Sequence, residues 1–249
     1  MSGTRKVLTV DGARSGAVAF AAALALAACG HTIKSRELEI TDSNWAVGEK
    51  AKLEEQCEGG EGEACFMLGL MLRDGEGLPQ DMAAARQFLR KACDRGQASG
   101  CVILGGMWAE GEGGPEDMVK ARELMLEACD KGDASGCHLL GMMWHDGVGG
   151  PEDPAEALKL FEQACTSGEA RACYVLGRIH LEGEGVARDA GLAREHFLCA
   201  CEGGDAQGCQ ILGEMFEKGE GGEQDAAMAA TLYEKACSLG LSAACESAD

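Results

Sequence analysis

Apolar residues return two, three and six positions past each of five cysteines, Cys65, Cys101, Cys137, Cys173 and Cys209, and the seventh position is apolar in four of the five copies. That spacing covers one face of a helix. The copies read FMLGLMLRDGEG, VILGGMWAEGEG, HLLGMMWHDGVG, YVLGRIHLEGEG and QILGEMFEKGEG, with leucine third and glycine fourth in every one. A glycine inside a helix costs about 1 kcal/mol against alanine. Gly69, Gly105, Gly141, Gly177 and Gly213 therefore predict a point where a neighbouring helix approaches closely.

Paired glycines break each of these helices, and an aspartate follows at Asp81, Asp117, Asp153, Asp189 and Asp225. Aspartate ahead of an apolar-periodic run predicts an N-cap, its carboxylate accepting orphan backbone N–H groups. In the second helices so opened, Ala85, Phe88, Leu89 and Ala92, and then Ala121, Leu124, Met125 and Ala128, keep the i, i+3, i+4, i+7 spacing of a buried face. Gly60, Gly96, Gly132, Gly168, Gly204 and Gly240 stand where left-handed caps would close these helices. The whole pattern repeats every 36 residues without drift, which predicts an all-α solenoid of stacked helix pairs. About five full units are expected, over 62–97, 98–133, 134–169, 170–205 and 206–241. Trp45 to Gly59 has no first helix before it, and Ser242 to Asp249 begins one that never completes, so both are expected to be caps.

Cysteine follows the same period. Cys57, Cys93, Cys129, Cys165, Cys201 and Cys237 are each followed eight residues later by a partner: Cys65, Cys101, Cys137, Cys173, Cys209 and Cys245. One disulfide per junction would staple consecutive units across a tight turn, each bond contributing about 2 to 3 kcal/mol. Metal ligation and reduced core cysteines are the alternatives. Zinc sites usually take cysteines two to four residues apart, and an exported chain does not keep core thiols reduced.

Export is expected from the first 28 residues. Arg5, Lys6 and Arg14 precede an uncharged stretch, Gly16 to Ala28, too short to span a membrane comfortably. It ends in Leu26-Ala27-Ala28-Cys29, which resembles the bacterial lipobox; that resemblance implies cleavage before Cys29 and its lipidation, against the alternative of an ordinary signal. Residues 1–28 are thus expected to be a lipoprotein signal peptide, 29–43 a tether and 44–249 the repeat array, in the bacterial cell envelope, whether periplasm, outer membrane or cell surface. The lipid is the only membrane contact expected.

The chain of 249 residues carries a formal charge of -20, which excludes nucleic acid as a natural partner because phosphate binding needs a positive surface. Without the first 28 residues the charge becomes -22. Only 4% of residues are aromatic, which suits many small helical units better than one large core.

The unit A-x-x-x-C-x-x-L-G-x-x-x-x-x-G-x-G-x-x-x-D-x-x-x-A, ending in A-C-x-x-G, resembles the Sel-one-like repeat, a relative of the tetratricopeptide repeat. Its eight-spaced cysteine pairs are similar to those of the Hcp-type cysteine-rich branch of secreted proteins. The resemblance covers roughly residues 44–249 and implies a right-handed superhelix of antiparallel helix pairs that acts as a protein-interaction scaffold. It also brings an alternative, since some members are described as penicillin-binding or as weak β-lactamases.

Binding is expected where the columns vary while the scaffold repeats. Positions one, five and eight past the second cysteine share a first-helix stripe, expected to line a concave groove by analogy with related arrays. The candidate contacts are Phe66, Arg73, His138, Met142, His145, Tyr174, Arg178, Gln210 and Glu214, and the expected partner is an envelope protein or extended peptide; the alternative is a merely solvated stripe. His138 and His145 lie seven apart, wider than the i, i+4 spacing of helical zinc motifs, so neither metal nor cofactor is expected. His180 and His196 occupy otherwise apolar columns and are expected to be partly buried and hydrogen-bonded. Cys199 stands off the cysteine period and is expected to be an exposed free thiol. No S-x-x-K, S-D-N, K-T-G, G-x-S-x-G or H-E-x-x-H occurs, so the serine and zinc hydrolase chemistries have no recognisable residues.

Overall fold

The computed structural model describes residues 42–246, with side chains from Gly48 onward. The proposed signal peptide, Cys29 and the tether up to residue 41 lie outside the described residues. The described residues lie in one compact unit, a right-handed α/α solenoid. Its helices are α1 (Asp42–Glu58), α2 (Gly62–Asp74), α3 (Met82–Asp94), α4 (Ala98–Glu110), α5 (Met118–Asp130) and α6 (Ala134–His145). They continue as α7 (Pro154–Thr166), α8 (Ala170–Glu182), α9 (Ala190–Glu202), α10 (Ala206–Lys218), α11 (Ala226–Ser238) and α12 (Ser242–Cys245). Each unit pairs an even-numbered first helix with the odd-numbered helix after it, and each second helix packs on the next unit's first. The first helices α4 and α6 also touch.

The helix boundaries follow from local chemistry. Asp81, Asp117, Asp153, Asp189 and Asp225 cap the second helices, each carboxylate accepting a backbone N–H two or three residues on at 2.9–3.1 Å. The same aspartates donate their own N–H groups back to the carbonyls of Leu72, Trp108, Trp144, His180 and Phe216 at 2.8–2.9 Å, which closes the loop between the paired helices. The glycine-broken turn holds Gly75, Gly111, Gly183 and Gly219 at φ of 69–77°, a region that favours glycine.

The mid-helix glycines are packing devices, as their cost predicts. A Cβ on Gly141 would lie 2.7 Å from Phe161, and one on Gly177 would lie 2.7 Å from Phe197. Those rings are fully buried, and their transfer from water stabilises the pair by about 2 to 3 kcal/mol each. A first helix with a larger fourth residue would be pushed off its partner.

All six predicted disulfides are present, Cys57–Cys65, Cys93–Cys101, Cys129–Cys137, Cys165–Cys173, Cys201–Cys209 and Cys237–Cys245, with Cα atoms 4.5–4.9 Å apart. The first five join the end of one helix to the start of the next unit's first helix, and the sixth ties the four-residue α12 to α11. No described helix is long and apolar enough to cross a membrane.

Candidate binding site

The variable stripe does not behave as one surface. Near the first end, Phe66 is half-buried against the core, while Arg73 joins Val102 and Gly106 around a cavity of about 660 Å³. Arg73 is tied to Asp74 at 2.6 Å, and that hydrogen bond holds its guanidinium above its ordinary pKa. At the far end Gln210 donates to Glu214 at 3.1 Å, and Glu217 accepts the Tyr233 hydroxyl at 2.8 Å. Burial, chiefly, together with that carboxylate, pushes the Tyr233 phenol well up.

Four stripe residues converge in the middle. Met142 and His145 from α6 and Tyr174 and Arg178 from α8 line one cavity of about 240 Å³, together with Asp146, Phe161, Val175, Ile179 and Glu184. Tyr174 is held by an edge contact with Phe197, ring centroids 5.9 Å apart. Arg178 donates through Nε and Nη2 to Glu182 at 3.0 and 2.8 Å. His145 sits between two carboxylates, with Nδ1 2.6 Å from Asp146 and Nε2 3.7 Å from Glu184. The Asp146 hydrogen bond, and then the two negative charges, raise its pKa above the usual imidazole value. The cavity combines apolar Phe161, Val175 and Ile179 with polar groups at His145, Asp146, Arg178 and Glu184, a make-up common to ligand-recognition sites.

His138 departs from the expectation for its column. It is buried, 7% exposed, because its ring packs on Phe161 at 5.8 Å, and its Nδ1 has no hydrogen-bond partner. Desolvation by burial lowers its pKa, and its contact is with Phe161, which lines the cavity. His180 and His196 are buried and half-buried as expected, but neither ring makes a side-chain hydrogen bond among the described residues. They stack on each other instead, centroids 5.3 Å apart and planes 15° from parallel. Burial first, and then the proximity of His180, lower the His196 pKa. Cys199 is free and exposed.

An arginine column was not visible in the first-helix stripe. Arg86, Arg122 and Arg194, each on a second helix, lie over Trp108, Trp144 and Phe216 of the next unit at 4.1, 3.6 and 3.4 Å. Such cation–π contacts contribute roughly 0.5 to 2 kcal/mol. The signal in the sequence is a pairing of arginine with an aromatic residue 22 positions later. It was hidden because these arginines sit beside an otherwise apolar face.

Among the described residues, no serine hydroxyl bonds a histidine or lysine side chain, the pairing that activates a serine nucleophile. The grouping of Cys93, Cys101 and Glu127 places possible metal donors together, but its two sulfurs are bonded to each other.

The fold and its junctions define a disulfide-stapled repeat scaffold. The family model described as "Sel1 repeat" matches residues 62–97, 98–133, 134–169, 170–205 and 206–241, and the chain belongs to the Sel1 repeat family. Among solved structures it is similar to c5321, a protective antigen present in uropathogenic Escherichia coli strains. That match is 29% identical, with a TM-score of 0.72, covering 77% of this chain and 41% of that one. A Sel1 repeat protein from Oxalobacter formigenes is 25% identical over 73% of this chain and 75% of that one, with a TM-score of 0.68. Cysteine rich protein B of Helicobacter pylori is 27% identical over 53% of this chain and 94% of that one, with a TM-score of 0.44. No curated protein matches.

Proposed function

We propose that this chain is an exported, lipid-anchored scaffold that binds a protein or peptide of the cell envelope along its first-helix face. The observation that carries the reading is the convergence of Met142, His145, Tyr174 and Arg178, from two successive first helices, around one cavity. Rigid solenoids use such faces for extended contacts, and rigidity lowers the ordering cost of binding. Six disulfides support an oxidising, extracytoplasmic compartment. Cys29, at the end of the apolar leader, is the residue proposed to carry lipid.

The test is capture of a partner from envelope extracts with the wild-type chain, Tyr174→Ala and Arg178→Glu. Retention of a defined partner by wild type and its loss from both variants supports the reading. A partner held equally by all three, or none held by wild type, contradicts it.

A further inference from the structure

The arginine column has a gap, and the gap lies beside the convergent cavity. At three junctions the arginine does more than cover a ring. Arg86 donates to the Met107 carbonyl at 2.7 Å, Arg122 to those of Val148 and Pro151 at 3.3 Å, and Arg194 to that of Glu223 at 3.1 Å. Glycine faces each guanidinium, at Gly114, Gly150 and Gly222, where a Cβ would strike it. The glycine before it, at Gly113, Gly149 and Gly221, rests so closely on the carbonyl of Met82, Met118 or Ala190 that a Cβ would strike there too. Arginine, ring and glycine together draw the inter-helix loop down onto the preceding second helix.

Between the third and fourth units the arginine, the ring and the glycine facing the guanidinium are all replaced, while Gly185 is kept. Leu158 stands for the arginine, His180 for the ring and Val186 for the glycine, and the second helix opens with Pro154. A Cβ on Gly185 would meet nothing within 4 Å, so this loop stands off from α7. The first described junction also lacks the arginine set, but there the loop residue Leu78 is buried and fills the space, whereas Val186 is only half-buried.

The opening is a cavity of about 370 Å³. Leu158, Ile179, Val186 and Pro154 make it chiefly apolar, and His145 and Glu184 stand on its rim. Those two residues and Ile179 also line the cavity of Met142, Tyr174 and Arg178, so the two chambers share a wall. The shared rim is acidic in net charge. Arg178 is occupied by Glu182, and His145 is shared between Asp146 and Glu184, so two carboxylates face one imidazole.

We propose that this junction is a pocket for one aliphatic side chain of a peptide partner, whose neighbouring basic residue binds Glu184 and Asp146 at the rim. The inference rests on the groove reading and names the chemistry of its partner. An aliphatic group fits the Leu158–Ile179–Val186 floor, and a cation fits both the rim and the chain's overall charge of -20.

The experiment titrates the exported full chain, methyl-labelled at Leu, Ile and Val, with acetyl-Lys-Leu-Lys-amide. Acetyl-Glu-Leu-Glu-amide and acetyl-Lys-Gly-Lys-amide are the controls. Saturable shifts at the Leu158, Ile179 and Val186 methyls are expected, with affinity about tenfold above either control, the size of one charge-assisted contact or one buried side chain. The triple variant Leu158→Arg, His180→Trp, Val186→Gly installs the set found at the neighbouring junctions, and it is expected to keep native circular dichroism and lose the probe. Glu184→Gln, at a residue on the solvent-exposed rim, is expected to keep native circular dichroism and to reduce the preference for the lysine peptide over the glutamate peptide severalfold, Asp146 remaining. Shifts that map elsewhere, equal binding of the glutamate peptide, or undiminished binding by Glu184→Gln overturns the inference. If a captured partner is lost with Tyr174→Ala but fully retained by the folded triple variant, the pocket fails while the groove stands.

Discussion

Removal of the central staple, Cys129→Ala with Cys137→Ala, should cost far more than removal of the terminal one. The bond closes a loop of eight residues' separation, for which chain entropy gives about 2.5 kcal/mol. Both cysteines are buried, at 3% and 1% exposure, so the lost sulfurs leave unfilled space worth about 1 kcal/mol each. The expected loss is about 4 to 5 kcal/mol, or roughly 10 °C in Tm for a chain of this size. Structure continues on both sides of this junction, so the loss weakens coupling between two halves of the array. Among the described residues, the Cys237–Cys245 bond holds the four-residue α12 alone beyond α11, and both of those cysteines are half-buried. The double alanine variant there should fray α12 and change global stability by less than about 1 kcal/mol. Urea unfolding of the oxidised proteins, followed by circular dichroism, measures both. Equal losses at the two sites, or a central loss below about 1 kcal/mol, would refute the staple argument.

Two glycines on first helices should respond in opposite directions. Gly141→Ala meets the Phe161 ring at 2.7 Å and should lower stability by about 1 to 2 kcal/mol, overpacking outweighing the gain in helix propensity. Gly106→Ala, with nothing within 4 Å of the new methyl, should raise it by up to about 1 kcal/mol; thermal melts of both variants check the contrast. Burial holds His138 and His196 below the ordinary imidazole pKa, so the unfolded chain takes up protons that the folded chain refuses. Their contribution is constant well above pH ~6.5 and turns destabilising as pH falls through that value. His138→Phe should therefore flatten the fall in urea midpoint between pH 7.5 and 5.5, and an unchanged fall would remove His138 as a cause. His145 has the opposite shift, raised by Asp146 with Glu184 on its other side and with Arg178 of the same cavity already paired to Glu182. Losing its proton frees both carboxylates, so acetyl-Lys-Leu-Lys-amide should bind more tightly as pH rises through the His145 titration, and His145→Gln should remove that dependence in calorimetric titrations.

The repeat was legible because its determinants are local. Asp117 caps because its carboxylate reaches backbone three residues away, and Cys129 meets Cys137 because a short capped turn brings them together. Gly141 pointed to a close approach without naming Phe161, since the helix register comes from tertiary packing. The stripe was harder to read. Met142, His145, Tyr174 and Arg178 do come together, but His138, on the same nominal face, is buried with its ring packed on Phe161 of α7. The junction gap needed three dimensions, because Leu158, His180 and Val186 are unremarkable as single residues and acquire meaning only against the arginine, ring and glycine of the other units.

Site-specific photo-crosslinking in intact cells tests the central claim most directly. A benzoylphenylalanine placed at Tyr174, on the proposed binding face, should give one discrete adduct with an envelope protein, whereas the same group at Leu126, exposed on the second helix α5, should give none. Equal adducts at both positions, or an adduct only at Leu126, would contradict a scaffold that binds through its first-helix face.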